Sequence, residues 1–307
     1  MVRRALNIAV LSCVLLAGSA AAEVLKVSGV YPAENDGAAA LESILVDEFG
    51  GTDGPALAIK IEDVLRAADL AGRPYFRILP PHANVSAAGI LRGTAEAEAS
   101  FDRFTEERER CQRKDDNGKC TERTKVKVYC YEHTLELAVN LRLIARDGAL
   151  LYSSDRPEKF EETSCEDDSS GPESNNDILR DLIGKAASRL ITAFVPVART
   201  ESIRVNESRK GLSRPDAELF KQAVPLTKTD PAAACQAWSA IGIGEAAHLP
   251  TQFNIGLCAE SEGRADEAVI QYRQLLRLQA GFKAARDGLE RLAARERAQS
   301  QLIARRW

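Results

Sequence analysis

The clearest pattern in the chain is an alternation of apolar and mostly polar residues in its middle part. Every second position is apolar, at Leu135, Leu137, Val139, Leu141 and Leu143. A period of two predicts a β-strand with one buried face, within a β-compatible stretch over residues 120–145. Asp147 and Gly148 follow and are typical of a two-residue hairpin turn. Residues 150–163 are therefore predicted to return as the next strand.

A second hairpin is predicted just before this one. Residues 88–110 contain few residues that break a strand, and the turn-forming run KDDNG occupies positions 114–118. If both strands are straight, residues 101–130 project beyond the core as a β-arm. The arm is too highly charged to face lipid.

Shorter periodic segments predict the remaining elements. Strands are expected at 24–30, 73–80 and 201–205, and amphipathic helices at 36–49, 55–68 and 177–193. Beyond a linker at 206–214, helices are expected at 215–224, from 231, at 250–262, 265–278 and 282–302. The chain is thus predicted to be an α+β protein. A mixed α/β sheet domain with an extended β-hairpin (23–205) precedes an all-α domain of helical hairpins (215–307).

Residues 1–22 have the three-part pattern of a secretory signal peptide. Arg3 and Arg4 precede an apolar run over residues 5–17, and the small residues 19–22 follow. That run is shorter than a membrane-spanning helix, so cleavage is expected between Ala22 and Glu23, with release into the periplasm. A membrane anchor, or lipidation at Cys13, is the alternative. Cys13 lies inside the apolar run, whereas a lipidated cysteine closes it.

The net charge of the chain indicates which classes of partner to expect. The whole chain carries −4, and removal of Arg3 and Arg4 makes it more negative. Nucleic-acid-binding proteins are usually basic, so no nucleic-acid partner is expected. No segment after the signal is apolar enough to insert directly into a membrane.

Cysteine content agrees with export. Of seven cysteines, Cys13 falls in the signal, and an even number remains for disulfides. If Arg146 faces Ala149 across the turn, the same register places Cys130 opposite Cys165. Two further cysteines flank the tip of the preceding hairpin, which predicts a Cys111–Cys120 bond. Free buried thiols and a zinc site are the alternatives.

Motifs of catalysis are missing from the sequence. The histidines His82, His133 and His248 occur singly, which favours surface or packing roles, and there is no G-x-S-x-G or P-loop pattern. No catalytic, cofactor-binding or metal-ligating residue is therefore predicted, and no cofactor. The acidic stretch 166–176 leaves ion binding open.

Residues 250–280 resemble a tetratricopeptide (TPR) repeat, and a weaker copy precedes them by the expected period. The signature positions are Asn254, Gly256, Gly263, Ala268 and Tyr272, with Ala234 and Trp238 in the first copy. Gln222 and Thr229 depart from the pattern, as does Ala280 in place of the closing proline. The resemblance implies stacked helical hairpins that bind proteins in a concave groove. It also places Cys235 and Cys258 on adjacent helices, where a disulfide joins the repeats.

The order of elements over residues 23–205 resembles the α/β domain of the curli secretion protein CsgG, the penicillin-binding-protein activator LpoB and the TolB amino-terminal domain. The segments that carry the likeness are LKVSGV, YFRILP, GILRGTAEAEA, ELAVNLRLIARDGALLYSS and the helix at 177–193. The chain departs from it in lacking a lipidated cysteine at the mature start. Its hairpin is also charged, so a curli-type pore is not expected.

These observations together predict a non-enzymatic periplasmic adaptor in bacterial cell-envelope assembly or secretion. Its protein partners are expected at the TPR groove and at the β-arm, in an outer-membrane or peptidoglycan-associated complex. An envelope-polymer hydrolase is one alternative, and a peripheral subunit of an outer-membrane secretion or assembly complex is another.

Overall fold

The computed structural model describes residues 23–79, 81, 86–168, 173–244 and 247–306. The predicted signal peptide and His82 lie outside the described residues. The described chain divides into two compact units. The sheet unit comprises residues 28–200 together with residues from Glu290 onward. The helical unit comprises residues 201–289 together with the described residues up to Val27.

The described residues form ten strands and eight helices, so the chain has the mixed α and β composition that was predicted. The strands are β1 (Val24–Tyr31), β2 (Ser43–Val46), β3 (Asp69–Leu70), β4 (Arg73–Pro74), β5 (Arg77–Leu79), β6 (Gly89–Lys114), β7 (Cys120–Ala145), β8 (Leu150–Ser154), β9 (Glu158–Cys165) and β10 (Val197–Arg204). The helices are α1 (Asp36–Ala39), α2 (Gly54–Ala67), α3 (Asn175–Phe194), α4 (Arg214–Thr229), α5 (Pro231–Gly244), α6 (Leu249–Ser261), α7 (Ala265–Leu278) and α8 (Lys283–Arg305).

The main sheet has the strand order β5-β2-β6-β7-β8, and β9 also pairs with β7. β2 runs parallel to both β5 and β6, and the other pairs are antiparallel. The alternating leucines and valine of β7 are buried under α2 and α3, together with Leu57 and Leu182 from those helices. The residues of β7 between them are mostly exposed. The predicted period of two is therefore confirmed, and the main sheet has one helix-covered face.

One predicted element in the amino-terminal part is wrong, and another is correct only in part. The helix expected at 36–49 ends at Ala39, and Ser43–Val46 forms strand β2 instead. A short apolar run fits a helix and a strand equally well, and here the burial of Ile44 and Val46 within the sheet decides for the strand. The strand expected at 73–80 is divided into β4 and β5 by the consecutive buried residues Tyr75 and Phe76.

The register of the β7–β8 hairpin is the predicted one over most of its length. Leu143 pairs with Tyr152, Leu141 with Ser154 and Cys130 with Cys165, all in the same register. An irregularity next to the turn shifts only the pair Ile144–Leu150. The predicted return strand is interrupted after Ser154, near Pro157, and continues as β9. The strand expected at 201–205 is the longer β10, which pairs with β1 and not with the main sheet.

In the helical unit, consecutive helices α4 to α7 pack pairwise against one another. The sequence predicted a boundary at residues 206–214 with everything beyond it in one helical domain. The last part of that region, from Glu290 onward, belongs to the sheet unit instead. The physical reason is a set of side-chain contacts made by the end of α8, such as those of Gln301 with Ala33 and of Arg305 with Tyr75. None of the described helices is long and apolar enough to cross a membrane.

Candidate functional site

The β-arm expected at residues 101–130 is present as the outer part of the β6–β7 hairpin. The two strands remain paired from Gly89–Ala145 to Lys114–Cys120. β9 adds a third strand along part of this length and ends at Cys165, opposite Cys130. From Phe101 outward, almost every side chain of β6 is exposed. The arm therefore offers both of its faces to solvent over much of its length.

One face of the arm continues the core face of the sheet. In β7 the row of buried apolar residues that begins at Leu143 passes outward into His133, Tyr131 and Tyr129, because alternate residues share a face. Their partners on β6 are Phe101, opposite His133, and Arg103, opposite Tyr131. We call this set the aromatic face: Phe101, Arg103, Tyr129, Tyr131 and His133. Three of its rings are exposed, by 58% at Phe101, 47% at Tyr129 and 36% at Tyr131.

The side chains of the aromatic face pack on one another. The rings of Phe101 and His133 are stacked, with centroids 4.3 Å apart and planes 7° from parallel. The Arg103 guanidinium lies 4.4 Å from the centroid of Tyr129 and 5.7 Å from that of Tyr131. Such contacts fix ring orientations, and a cation over an aromatic face gains electrostatic energy. The side chains of the aromatic face are therefore packed together before any partner binds.

His133 is the buried member of this face. It is 2% exposed, and neither ring nitrogen has a hydrogen-bond partner. A buried polar group without a partner costs about 1–3 kcal/mol, so an unsatisfied imidazole here needs an explanation. The sequence predicts a surface or packing role for His133, and the structure buries its ring against Phe101. Its place in the odd-numbered row of β7 was the signal that it would lie on the core face.

A pocket of about 320 Å³ opens beside His133. It combines aromatic walls with groups that accept hydrogen bonds. Neither the Ser164 hydroxyl nor the Glu166 carboxylate makes a hydrogen bond or ion pair with another described residue. The pocket is lined by Phe101, Tyr131, His133, Ser164, Cys165 and Glu166.

The opposite face of the β6–β7 hairpin is acidic where the arm begins, and we call this part the acidic face. Glu98 lies directly across from Glu136, and Asp102 across from Glu132. Like charges at directly opposed positions destabilise a strand pair. Lys159 offsets part of this charge through an ion pair with Glu161, and its pKa is raised, chiefly by the hydrogen bond to that carboxylate.

The acidic stretch after β9 is tied to the arm by arginines. Asp167 pairs with Arg110 at 2.7 Å and with Arg108 at 2.8 Å, and Asp168 pairs with Arg108 at 2.9 Å. The hydrogen bond from Arg110 holds the pKa of Asp167 below its usual range, and that from Arg108 does the same for Asp168. These two carboxylates are therefore ion-paired with the arm.

We expect the contact between this stretch and the arm to weaken in acid. Asp168 accepts a hydrogen bond from the Cys165 amide at 2.6 Å. Because the pKa of Asp168 in the folded state is lowered, the contact is complete above the ordinary carboxyl pKa of about 3.9 and is lost as pH falls through the lowered value. The NMR shift of the Cys165 amide should therefore titrate with a midpoint below about 3.9.

Two arginine variants test whether Arg108 is the cause of the lowered pKa of Asp168. Arg108→Gln removes the ion pair and should raise the midpoint of the Cys165 titration. Arg103→Gln, on the same strand but stacked over Tyr129 on the aromatic face, should leave it unchanged. A midpoint that is the same in Arg108→Gln and in the wild type would show that Arg108 does not lower the pKa of Asp168.

The described cysteines form three disulfides, and they are the three predicted pairs: Cys111–Cys120, Cys130–Cys165 and Cys235–Cys258. The first is at the tip of the arm, and the second joins β7 to β9. Glu106 lies close to Cys130 and Cys165 in a geometry that suits a metal, but disulfide-bonded sulfurs are not available as thiolate ligands. Three disulfides indicate a protein of an oxidising compartment outside the cytoplasm.

In the helical unit, the apolar signature residues are buried. Ala234, Trp238, Ala268 and Tyr272 are all 0% exposed. Gly256 leaves room for Tyr272, since a Cβ at this glycine would lie 2.9 Å from the Tyr272 Cε1 atom. Gly263 has a φ of +79°, a conformation that favours glycine, at the turn between α6 and α7.

Asn254, a further signature residue, binds the chain segment that precedes α4. Its Oδ1 accepts a hydrogen bond from the Asn206 amide at 2.8 Å, and its Nδ2 donates to the Asn206 carbonyl at 2.9 Å. The side chain is completely buried. The predicted linker is therefore anchored at its first residue.

Comparisons with known proteins give the chain no family. No protein-family model and no curated protein matches the sequence. Among solved structures, a PelC dodecamer from Paraburkholderia phytofirmans, a single-substitution variant, is 19% identical, with a TM-score of 0.23, over 54% of this chain and 95% of that chain. A putative neuraminyllactose-binding hemagglutinin homolog from Helicobacter pylori is 10% identical, with a TM-score of 0.27, over 59% of this chain and 91% of that chain. Likeness at this level supports neither a shared fold nor a shared function, so both sequence resemblances stay predictions.

Proposed function

We propose that the chain is a non-enzymatic adaptor of the bacterial cell envelope, exported to the periplasm, that binds other proteins. The observation that carries this proposal is the aromatic face of the β-arm. Its exposed rings are already packed against Arg103 and His133. Aromatic and arginine side chains dominate the binding energy of protein interfaces, and they lose little conformational entropy when they are ordered beforehand.

Two further features support the adaptor function. Disulfides at the tip of the arm and between β7 and β9 restrict the conformations of the hairpin. The helical unit supplies a second surface, where the TPR resemblance implies protein binding in a groove. An adaptor with two surfaces also suits the related alternative, a peripheral subunit of an outer-membrane secretion or assembly complex.

Photocrosslinking from two aromatic positions tests the proposal. Benzoylphenylalanine at Tyr129 lies on the aromatic face, and at Phe104, which is 39% exposed, it lies on the acidic face opposite Cys130. In the cells of origin, we expect position 129 to give one defined protein adduct that position 104 does not give. The same adduct should be lost when Phe101→Ala and Tyr131→Ala are combined. Equal adducts at both positions, or an adduct that survives the double substitution, would rule out the aromatic face as the binding surface.

The hydrolase alternative has one observation in its favour, because His133, Ser164 and Glu166 line the same pocket. A serine nucleophile needs a hydrogen bond to its base, which in turn needs an orienting partner. Neither ring nitrogen of His133 makes a hydrogen bond, so the adaptor is better supported. Labelling of Ser164 by a fluorophosphonate, abolished in Ser164→Ala, would reverse this preference.

A further inference from the structure

We propose that the pocket beside His133 binds a guanidinium group, and that the partner of the β-arm presents an arginine side chain to it. This inference rests on the proposed function, since it names the chemistry of the partner at the aromatic face. The polar side chains without hydrogen-bond partners and the aromatic walls of the pocket together point to this group.

Three polar side chains of the pocket have no hydrogen-bond partner among the described residues. The Glu166 carboxylate and the Ser164 hydroxyl can each accept a hydrogen bond, and neither ring nitrogen of His133 is engaged. A guanidinium carries five N–H donors and no acceptor. A hydrogen bond from such a charged donor to a carboxylate is stronger than a neutral one. An arginine therefore supplies hydrogen-bond donors to the acceptors of the pocket.

The apolar walls suit the same side chain. Phe101 and Tyr131 present ring surfaces to the pocket, and a planar guanidinium stacks on aromatic rings more favourably than an ammonium does. The chain itself contains an example, because the Arg103 guanidinium already lies over Tyr129 on this face. The aliphatic part of an arginine also packs well against apolar surface.

Other occupants fit less well. An anion would meet the carboxylate of Glu166, and that of Glu162 on the strand position opposite His133. A neutral aromatic residue fits the walls but offers at most one donor, which leaves at least one acceptor without a partner.

NMR with matched small probes tests the inference on the full chain, produced by export so that its disulfides form. The probes are N-acetyl-arginine methylamide, its neutral isostere N-acetyl-citrulline methylamide, and N-acetyl-aspartate methylamide. We expect saturable shifts of the His133 ring and Ser164 amide signals with the arginine probe, at a Kd on the order of millimolar. The citrulline probe should bind at least about fivefold more weakly, and the aspartate probe should give no saturable shift.

Two glutamate variants separate the pocket from general charge. Glu166→Gln should weaken arginine binding by about two- to fivefold. Glu161→Gln removes the same charge from the same region of β9, but on the acidic face beside Lys159, and should leave the Kd unchanged. Equal binding of arginine and citrulline, or no saturable shift with arginine, would overturn the inference. If the Tyr129 adduct persists in that case, the adaptor stands and only the chemistry of its partner is wrong; loss of both overturns the proposed function as well.

Discussion

Deletion of residues 290–307 is expected to unfold the sheet unit, although the sequence assigns these residues to a helical domain. The second half of α8 contributes the buried residues Leu292, Ala298 and Gln301 to that unit, and Leu302 packs on its core. Loss of this packing should cost about 5 kcal/mol or more, which is comparable with the total stability of many domains. Hydrogen exchange measured by mass spectrometry should show loss of protection in β2 and the inner parts of β6 and β7.

A single side chain is central to this prediction. Gln301 accepts a hydrogen bond from the Ala33 amide and donates one to the Ala33 carbonyl, both at 3.0 Å, and it also donates to Asp36 at 2.6 Å. The last of these bonds is the main cause of the lowered pKa of Asp36. Gln301→Ala leaves both backbone groups of Ala33 without a partner, and we expect a loss of about 3 kcal/mol in the free energy of unfolding.

Gln299→Ala is the matched control, since Gln299 lies two residues earlier in the same helix with its side chain exposed. This change should alter the free energy of unfolding by less than about 0.5 kcal/mol. If the two variants are equally stable, or if the deletion leaves protection of the sheet unchanged, the end of α8 does not hold the sheet unit together.

Aromatic stacking strengthens the same attachment. Arg305 is 8% exposed, and its guanidinium lies 4.3 Å from the centroid of Tyr75 and 5.3 Å from that of Phe76. Burial raises the pKa of Tyr75 to about 12, so the phenol stays neutral and donates to the Ala39 carbonyl at 2.7 Å. Point substitutions within α4–α7 therefore test the helical unit better than any deletion that removes the end of α8.

Regular strands and their turn were predictable because side chains alternate over a long, uninterrupted length. The alternation in β7, the turn at Asp147 and Gly148 and the cross-strand position of Cys130 and Cys165 follow from one register. A slip by one residue would have moved the whole apolar row to the other face. The Cys130–Cys165 disulfide was therefore predictable from spacing alone.

Elements whose identity depends on distant contacts were not predictable. Ser43–Val46 is a strand because it pairs with both β5 and β6, and no local signal distinguishes this from a helix. The last helix is amphipathic throughout, and its periodicity does not reveal that its second half packs on the sheet unit. For the candidate site, the arm was predicted, but the pocket was not, because Ser164 and Glu166 come from the far end of another strand.

Tyr272→Ala is expected to destabilise the helical unit strongly. The ring is completely buried, and a Cβ added at Gly288 would lie 2.4 Å from it, which shows how closely the helices surround it. Its hydroxyl donates to the buried Glu260 carboxylate at 2.8 Å. Removing a buried aromatic ring leaves a cavity that costs about 3–5 kcal/mol, and here Glu260 also loses a donor.

Two further variants separate the free-energy cost of the cavity from the cost of the lost hydrogen bond and from the effect of an alanine substitution on the helix itself. Tyr272→Phe keeps the ring and should lose about 1–2 kcal/mol. Ile270→Ala removes a 60% exposed side chain from the same helix and should change stability by less than about 0.5 kcal/mol. Urea unfolding followed by the fluorescence of the buried Trp238 reports on this unit, in a Trp307→Phe background because the chain has two tryptophans. An Ile270→Ala loss as large as that of Tyr272→Ala would mean that the ring does not fill the space between the helices.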